Sequence, residues 1–91
     1  MKKPEISFRP IGESGPLALY WHTGPYGDAV ECKEGSGVVW VSSAGELLGV
    51  EFDDVNKESD HQVLITAQGH KVEVWLKQGK VRALFTESAT A

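Results

Sequence analysis

This chain is expected to be all-β, and three observations predict it. Its 10 glycines in 91 residues fall between short apolar stretches rather than in one block. That is the punctuation of a many-stranded antiparallel protein. Several stretches alternate apolar and polar residues with period two, Lys71 to Lys77 most cleanly. Only Asp53 to Asp60 leaves room for a helix, and it is too polar to pack strongly. The expected architecture is an antiparallel meander of about six to eight short strands, forming a small sandwich or half-open barrel. At most one short helical turn lies near residues 54–60.

Ile6 to Arg9 is a short first strand, and Gly12-Glu13-Ser14-Gly15-Pro16 is a loop. Leu17 to His22 is a strand with Leu17, Leu19 and Trp21 on one face and Ala18, Tyr20 and His22 on the other. Thr23-Gly24-Pro25-Tyr26-Gly27 is a turn, because proline presets φ and glycine tolerates the left-handed backbone that closes it. Asp28 to Lys33 is one strand, closed by the turn Glu34-Gly35-Ser36-Gly37. Val38-Val39-Trp40-Val41 is β-branched and apolar on both faces, as in a central strand buried on both sides. After Ser43-Ala44-Gly45, Leu48, Val50 and Phe52 alternate with Leu47, Gly49 and Glu51. A glycine in mid-strand marks a bulge or a close contact with another chain or side chain.

His61 to Gln68 is the next strand, built on Val63, Leu64, Ile65 and Thr66. In Lys71 to Lys77, Val72, Val74 and Leu76 point inward and Lys71, Glu73, Trp75 and Lys77 outward. Gln78-Gly79 is a two-residue hairpin loop into Lys80 to Thr86, where Val81, Ala83 and Phe85 continue the inward face. Strands pair in chain order by the neighbour preference. Lys71, Lys77 and Lys80 protect the exposed edge, or that edge pairs with a second copy of the chain.

Residues 1–91 are expected to make one domain, with 1–5 and 87–91 as flexible ends. A chain of this size buries about 64% of its unfolded surface, enough for one modest core. Acids outnumber bases 13 to 9. The charge is uneven: −7 between Asp28 and Asp60, and +2 both before Ile11 and after Asp60. An acidic middle disfavours a nucleic-acid partner, because phosphate contacts need Lys or Arg. It also suggests that a basic partner, or the basic end of a second copy, meets the middle in a salt-sensitive way. No apolar run, Val38 to Val41 included, approaches the ~20 residues of a membrane span. Pro4, Glu5, Ser7, Arg9 and Pro10 occupy the place of a leader's apolar segment. With Cys32 alone there is no internal disulfide, and a cytoplasmic location is the expectation.

Leu19-Tyr20, then Gly37-Val38-Val39-Trp40-Val41, then Gly45-Glu46-Leu47-Leu48-Gly49-Val50-Glu51-Phe52 form a pattern over about residues 17–55. It resembles the bacterial family called domain of unknown function 2283. Members carry an Asp before the Ala-Leu-Tyr triplet, where this chain has Leu17. The resemblance implies a β fold and a bacterial or phage source, and no mechanism.

Candidate chemistry is sparse. Cys32 with His22, His61 or His70 would be a thiol–imidazole pair, but Glu31 and Glu34 flank the thiol and raise its pKa. Asp53, Asp54, Asp60 and His61 are weak metal candidates whose spacing fits no EF-hand loop and no zinc helix. His22 and His70 border turns and are expected to face solvent. Gly35-Ser36-Gly37 lacks the lysine and helix of a phosphate loop, and Ser42-Ser43 lacks a nucleophile elbow. The aromatics Tyr20, Trp21, Tyr26, Trp40 and Trp75 are the leading ligand or interface candidates, since aromatic anchors dominate binding hot spots.

The expected function is a non-catalytic β module acting by protein–protein contact and self-association, without a cofactor. An inhibitor or antitoxin-like module is one form of it. The alternatives are a small-ligand binder with a pocket between the sheets lined by Tyr20, Trp21 and Trp40, and an enzyme using Cys32 or a carboxylate–histidine set.

Overall fold

The computed structural model describes residues 3–22 and 27–88. The turn expected at Thr23–Tyr26, and Tyr26 with it, lies outside the described residues. Nine strands and no helix are found among them: β1 (Glu5–Phe8), β2 (Ser14–Tyr20), β3 (Asp28–Val30), β4 (Cys32–Glu34), β5 (Gly37–Val41), β6 (Leu47–Asn56), β7 (Ser59–Thr66), β8 (Lys71–Lys77) and β9 (Lys80–Glu87). They form two antiparallel sheets, ordered β1-β2-β6-β5-β3 and β4-β7-β8-β9, and neither closes into a barrel.

The all-β expectation holds, with three corrections to its detail. The strand count exceeds the expected range because Asp28 to Lys33 is not one strand. The chain leaves the first sheet at Val30 and enters the second at Cys32, so Glu31 is the crossing point. Pairing is not in chain order either. β6 is the longest strand and sits between β2 and β5. Burying its apolar face on both flanks outweighs the preference for sequential neighbours.

The helical turn near 54–60 is absent. Phe52 and Val55 are both fully buried while Asp53 and Asp54 are exposed, and Leu17 pairs with Phe52 but Gly15 with Val55. One extra residue in β6 is a β-bulge that returns Val55 to the core. The strand therefore continues to Asn56. The turn that carries the chain from β6 in the first sheet to β7 in the second is fixed by side chains that act as turn groups. Glu58 N donates to Asn56 Oδ1 at 2.9 Å, and Asn56 N donates to Asp60 Oδ2 at 2.8 Å.

The core lies between the sheets. Leu17, Leu19, Val39, Val50, Phe52 and Val55 from the first sheet meet Leu64, Val72, Val74 and Leu76 from the second. Val38 to Val41 is therefore buried on one face: Val39 and Val41 are in the core, whereas Val38 and Trp40 are half-buried on the other side. Glycine makes the return crossing to the first sheet possible at Gly35, where φ is +86° and a Cβ would lie 2.8 Å from Leu64 Cδ2. The two-residue loop at the last hairpin has φ of 55° at Gln78 and 75° at Gly79, a type I′ turn as the Gln78-Gly79 pair suggests. Glu5 pairs with Tyr20, and Glu87 pairs with Lys71.

Candidate functional site

The two flanks of the sandwich differ. On one flank the chain itself crosses between sheets at Glu31, and each edge there is a strand of three residues. On the other flank β1 and β9 are the edges of the two sheets, and no described strand joins them. A groove of about 350 Å³ lies between them, walled by Pro4, Ile6, Val81, Ala83 and Leu84 together with Lys3 and Arg82. Ile6 is 52% exposed there.

A bulge sets what β9 presents. Trp75 pairs with Ala83 but Leu76 pairs with Val81, so Arg82 is an extra residue in β9. The alternation then reverses across it. Val81 and Leu84 point inward and pack against the core, while Lys80, Ala83 and Phe85 lie on the outer face. This corrects the expectation that Val81, Ala83 and Phe85 share the inward face. Phe85 is 45% exposed. Sequence reasoning missed it because Ala83-Leu84-Phe85 is apolar throughout and carries no parity signal of its own.

The outer face of the second sheet runs from β7 to this edge. The His61 and Trp75 rings stack with centroids 4.8 Å apart and an interplanar angle of 9°. His61 Nε2 contacts Glu73 Oε2 at 2.5 Å, and Lys71 Nζ lies 3.7 Å from Glu73 Oε1. Lys71 also sits over the Phe85 ring, 5.6 Å from its centroid, in cation–π range. A second groove, about 330 Å³, opens beside the stack between Asp60, His61, Trp75 and Arg82. Trp75 is thus outward as its alternation predicts, with its ring partly covered by His61. Lys71 and Lys77 sit on β8, an inner strand, so of the three expected edge lysines only Lys80 is on the edge.

The other aromatic candidates are not brought together. Tyr20 and Trp40 lie on the outer face of the first sheet, either side of Gly49, with centroids 6.2 Å apart. A Cβ on Gly49 would come within 2.8 Å of Tyr20 Cδ1, so this glycine is the close side-chain contact its position suggests. Trp21 packs toward the core, and its Nε1 is buried with no hydrogen-bond partner among the described residues. Tyr20, Trp21 and Trp40 therefore line no common pocket between the sheets, because the chain places them on opposite sides of the first sheet.

The polar candidates have structural roles. Asp60 accepts hydrogen bonds from Asn56 N, His61 N and the Gln62 side chain. Partial burial alone would push its carboxyl up, but these hydrogen bonds and the His61 charge hold it below its ordinary value. Asp53 and Asp54 are exposed on β6, and no group of three or more His, Cys, Asp or Glu converges as metal ligands would among the described residues. Cys32 packs against the core beside Thr66, and burial, then the Asp53 charge, pushes its thiol pKa up. His22 is exposed, but His70 is only 4% exposed, contrary to expectation. The turn it borders folds inward: His70 N donates to Thr66 Oγ1 and Thr66 N to the His70 carbonyl. Among the described residues, no helix is long and apolar enough to cross a membrane.

No family model, no curated protein and no solved structure matches this chain. The resemblance over about residues 17–55 gains no support from them, and the function rests on the geometry alone.

Proposed function

We propose that this chain is a non-catalytic module that works by protein–protein contact and self-associates through its open flank. One observation carries the reading: β9, eight residues long, is paired with β8 on one side and with no described strand on the other. A long edge strand presents a row of N–H and C=O groups to any strand that arrives. Here it also carries Phe85 on its outer face and borders the exposed Ile6. The thiol of Cys32, held protonated at neutral pH, suits a structural place in a reducing, cytoplasmic setting rather than a nucleophile's role.

Sedimentation equilibrium over a wide concentration range tests this. The expected result is a reversible species of twice 9.9 kDa. A single 9.9 kDa species at every concentration would remove self-association and leave only a foreign protein partner.

A second reading, a small-ligand site, is favoured by the His61–Trp75 stack beside its groove of about 330 Å³. It moves the expected aromatic pocket from between the sheets to the outer face of the second one. Thermal shifts against a panel of small metabolites, lost in Trp75→Ala, would support it. No shift with any compound would count against it.

A further inference from the structure

Self-association alone does not say how two copies meet. We infer that β9 pairs antiparallel with β9 of a second copy about a two-fold axis at Leu84, joining the two four-stranded sheets into one; this rests on the self-association reading and deepens it.

Parity decides which residues can stand opposite one another. Neighbouring antiparallel strands related by a two-fold axis bring together residues that point to the same face. In an unbroken strand Lys80 and Glu87, seven residues apart, would point to opposite faces. The bulge at Arg82 removes that obstacle. Lys80 pairs with Lys77 and Glu87 with Lys71, and Lys71 and Lys77 are both outward residues of β8. Lys80 and Glu87 are therefore on one face. With the axis at Leu84, the bulges of the two copies fall symmetrically, and Lys80 of one copy stands opposite Glu87 of the other, twice. Moving the axis to Ala83 or to Phe85 shortens the ladder and separates these charges.

Three further features fit the same register. Lys77 and Lys80 face each other across the hairpin, a like-charge pair that costs stability. Neither makes an ion pair among the described residues. Glu87 of the second copy supplies the missing opposite charge. Ala83 comes to lie opposite Phe85 of the second copy. The small side chain leaves room for that ring beside Trp75, covering two aromatics that are 36% and 45% exposed in the single chain. On the inner side, the Leu84 side chains meet at the axis, and the grooves between β1 and β9 of the two copies, which Lys3 and Arg82 line beside the apolar side chains, become continuous. Against a foreign strand, none of these matches is built in.

Charge reversal tests the register. Lys80→Glu and Glu87→Lys each put like charges together at both symmetric positions and are expected to weaken dimerisation roughly tenfold. The double variant K80E/E87K restores opposite charges and is expected to recover most of the wild-type affinity. Both sites are exposed, so circular dichroism should show an unchanged fold in all three variants. A wild-type dimer that the double variant fails to rescue overturns the register and leaves self-association standing. A wild-type monomer at all concentrations overturns both. Leu84→Cys in a Cys32→Ser background gives an independent readout. Directly opposed residues have Cα atoms about 4.5–5.5 Å apart, within disulfide range. Oxidation should yield a covalent dimer; failure to cross-link in a folded, associating protein counts against the axis at Leu84.

Discussion

Asp60 shows what single residues do in this molecule. Its carboxylate holds the turn between β6 and β7, where the chain changes sheets, through Asn56 N, His61 N and Gln62. Because its pKa is lowered in the folded state, its contribution is fully present above the unfolded value and is lost as pH falls through the folded one. Asp60→Asn should therefore destabilise the protein by about 1–2 kcal/mol at neutral pH. The difference from wild type should shrink below about pH 4, read by urea denaturation across pH. Gly35 is the backbone counterpart. A side chain there would need φ of +86° and would press on the Val63 carbonyl and on Leu64. Gly35→Ala is expected to cost about 2–4 kcal/mol in the same assay. In the sequence Asp60 is visible only as a weak metal candidate. Its role in that turn depends on Asn56 lying within reach, which spacing alone does not reveal.

The legible elements are those whose alternation is unbroken. Lys71 to Lys77 reads directly from its period of two, and Gln78-Gly79 reads from the need for φ > 0 at a two-residue loop. That loop also supports a prediction. Gln78 holds φ at 55° without a side chain suited to it. Gln78→Asn should stabilise the protein by about 0.5 kcal/mol, measured as a rise in denaturation midpoint. The illegible elements are those with bulges. Phe52-Asp53-Asp54-Val55 and Val81-Arg82-Ala83 each insert one residue, and a strict alternation then assigns every later side chain to the wrong face. This is why Asp53 to Asp60 reads as a loop or helical turn and why Phe85 reads as core. The switch at Glu31 is hidden for another reason: a strand that changes sheets has the same local pattern as one that does not.

For the whole molecule, the sequence supports an all-β fold with a modest core, and the −7 stretch between Asp28 and Asp60 is its most visible asymmetry. The structure adds a second asymmetry that composition cannot carry. One flank of the sandwich is closed by the chain crossing at Glu31, and the other leaves β1 and β9 as edges. The proposed contact therefore involves the basic last third more than the acidic middle. Its charged pairs are exposed, so raising salt should weaken the dimer only modestly, while the apolar contacts at Phe85 and Leu84 persist. The most direct test is amide hydrogen exchange measured residue by residue at low and high protein concentration. Pairing through β9 predicts that the amides between Lys80 and Glu87 directed away from β8 gain protection as concentration rises, while those of the opposite edge, Asp28–Val30, do not. No change with concentration in those outward-directed β9 amides, or a gain confined to Asp28–Val30, would contradict it.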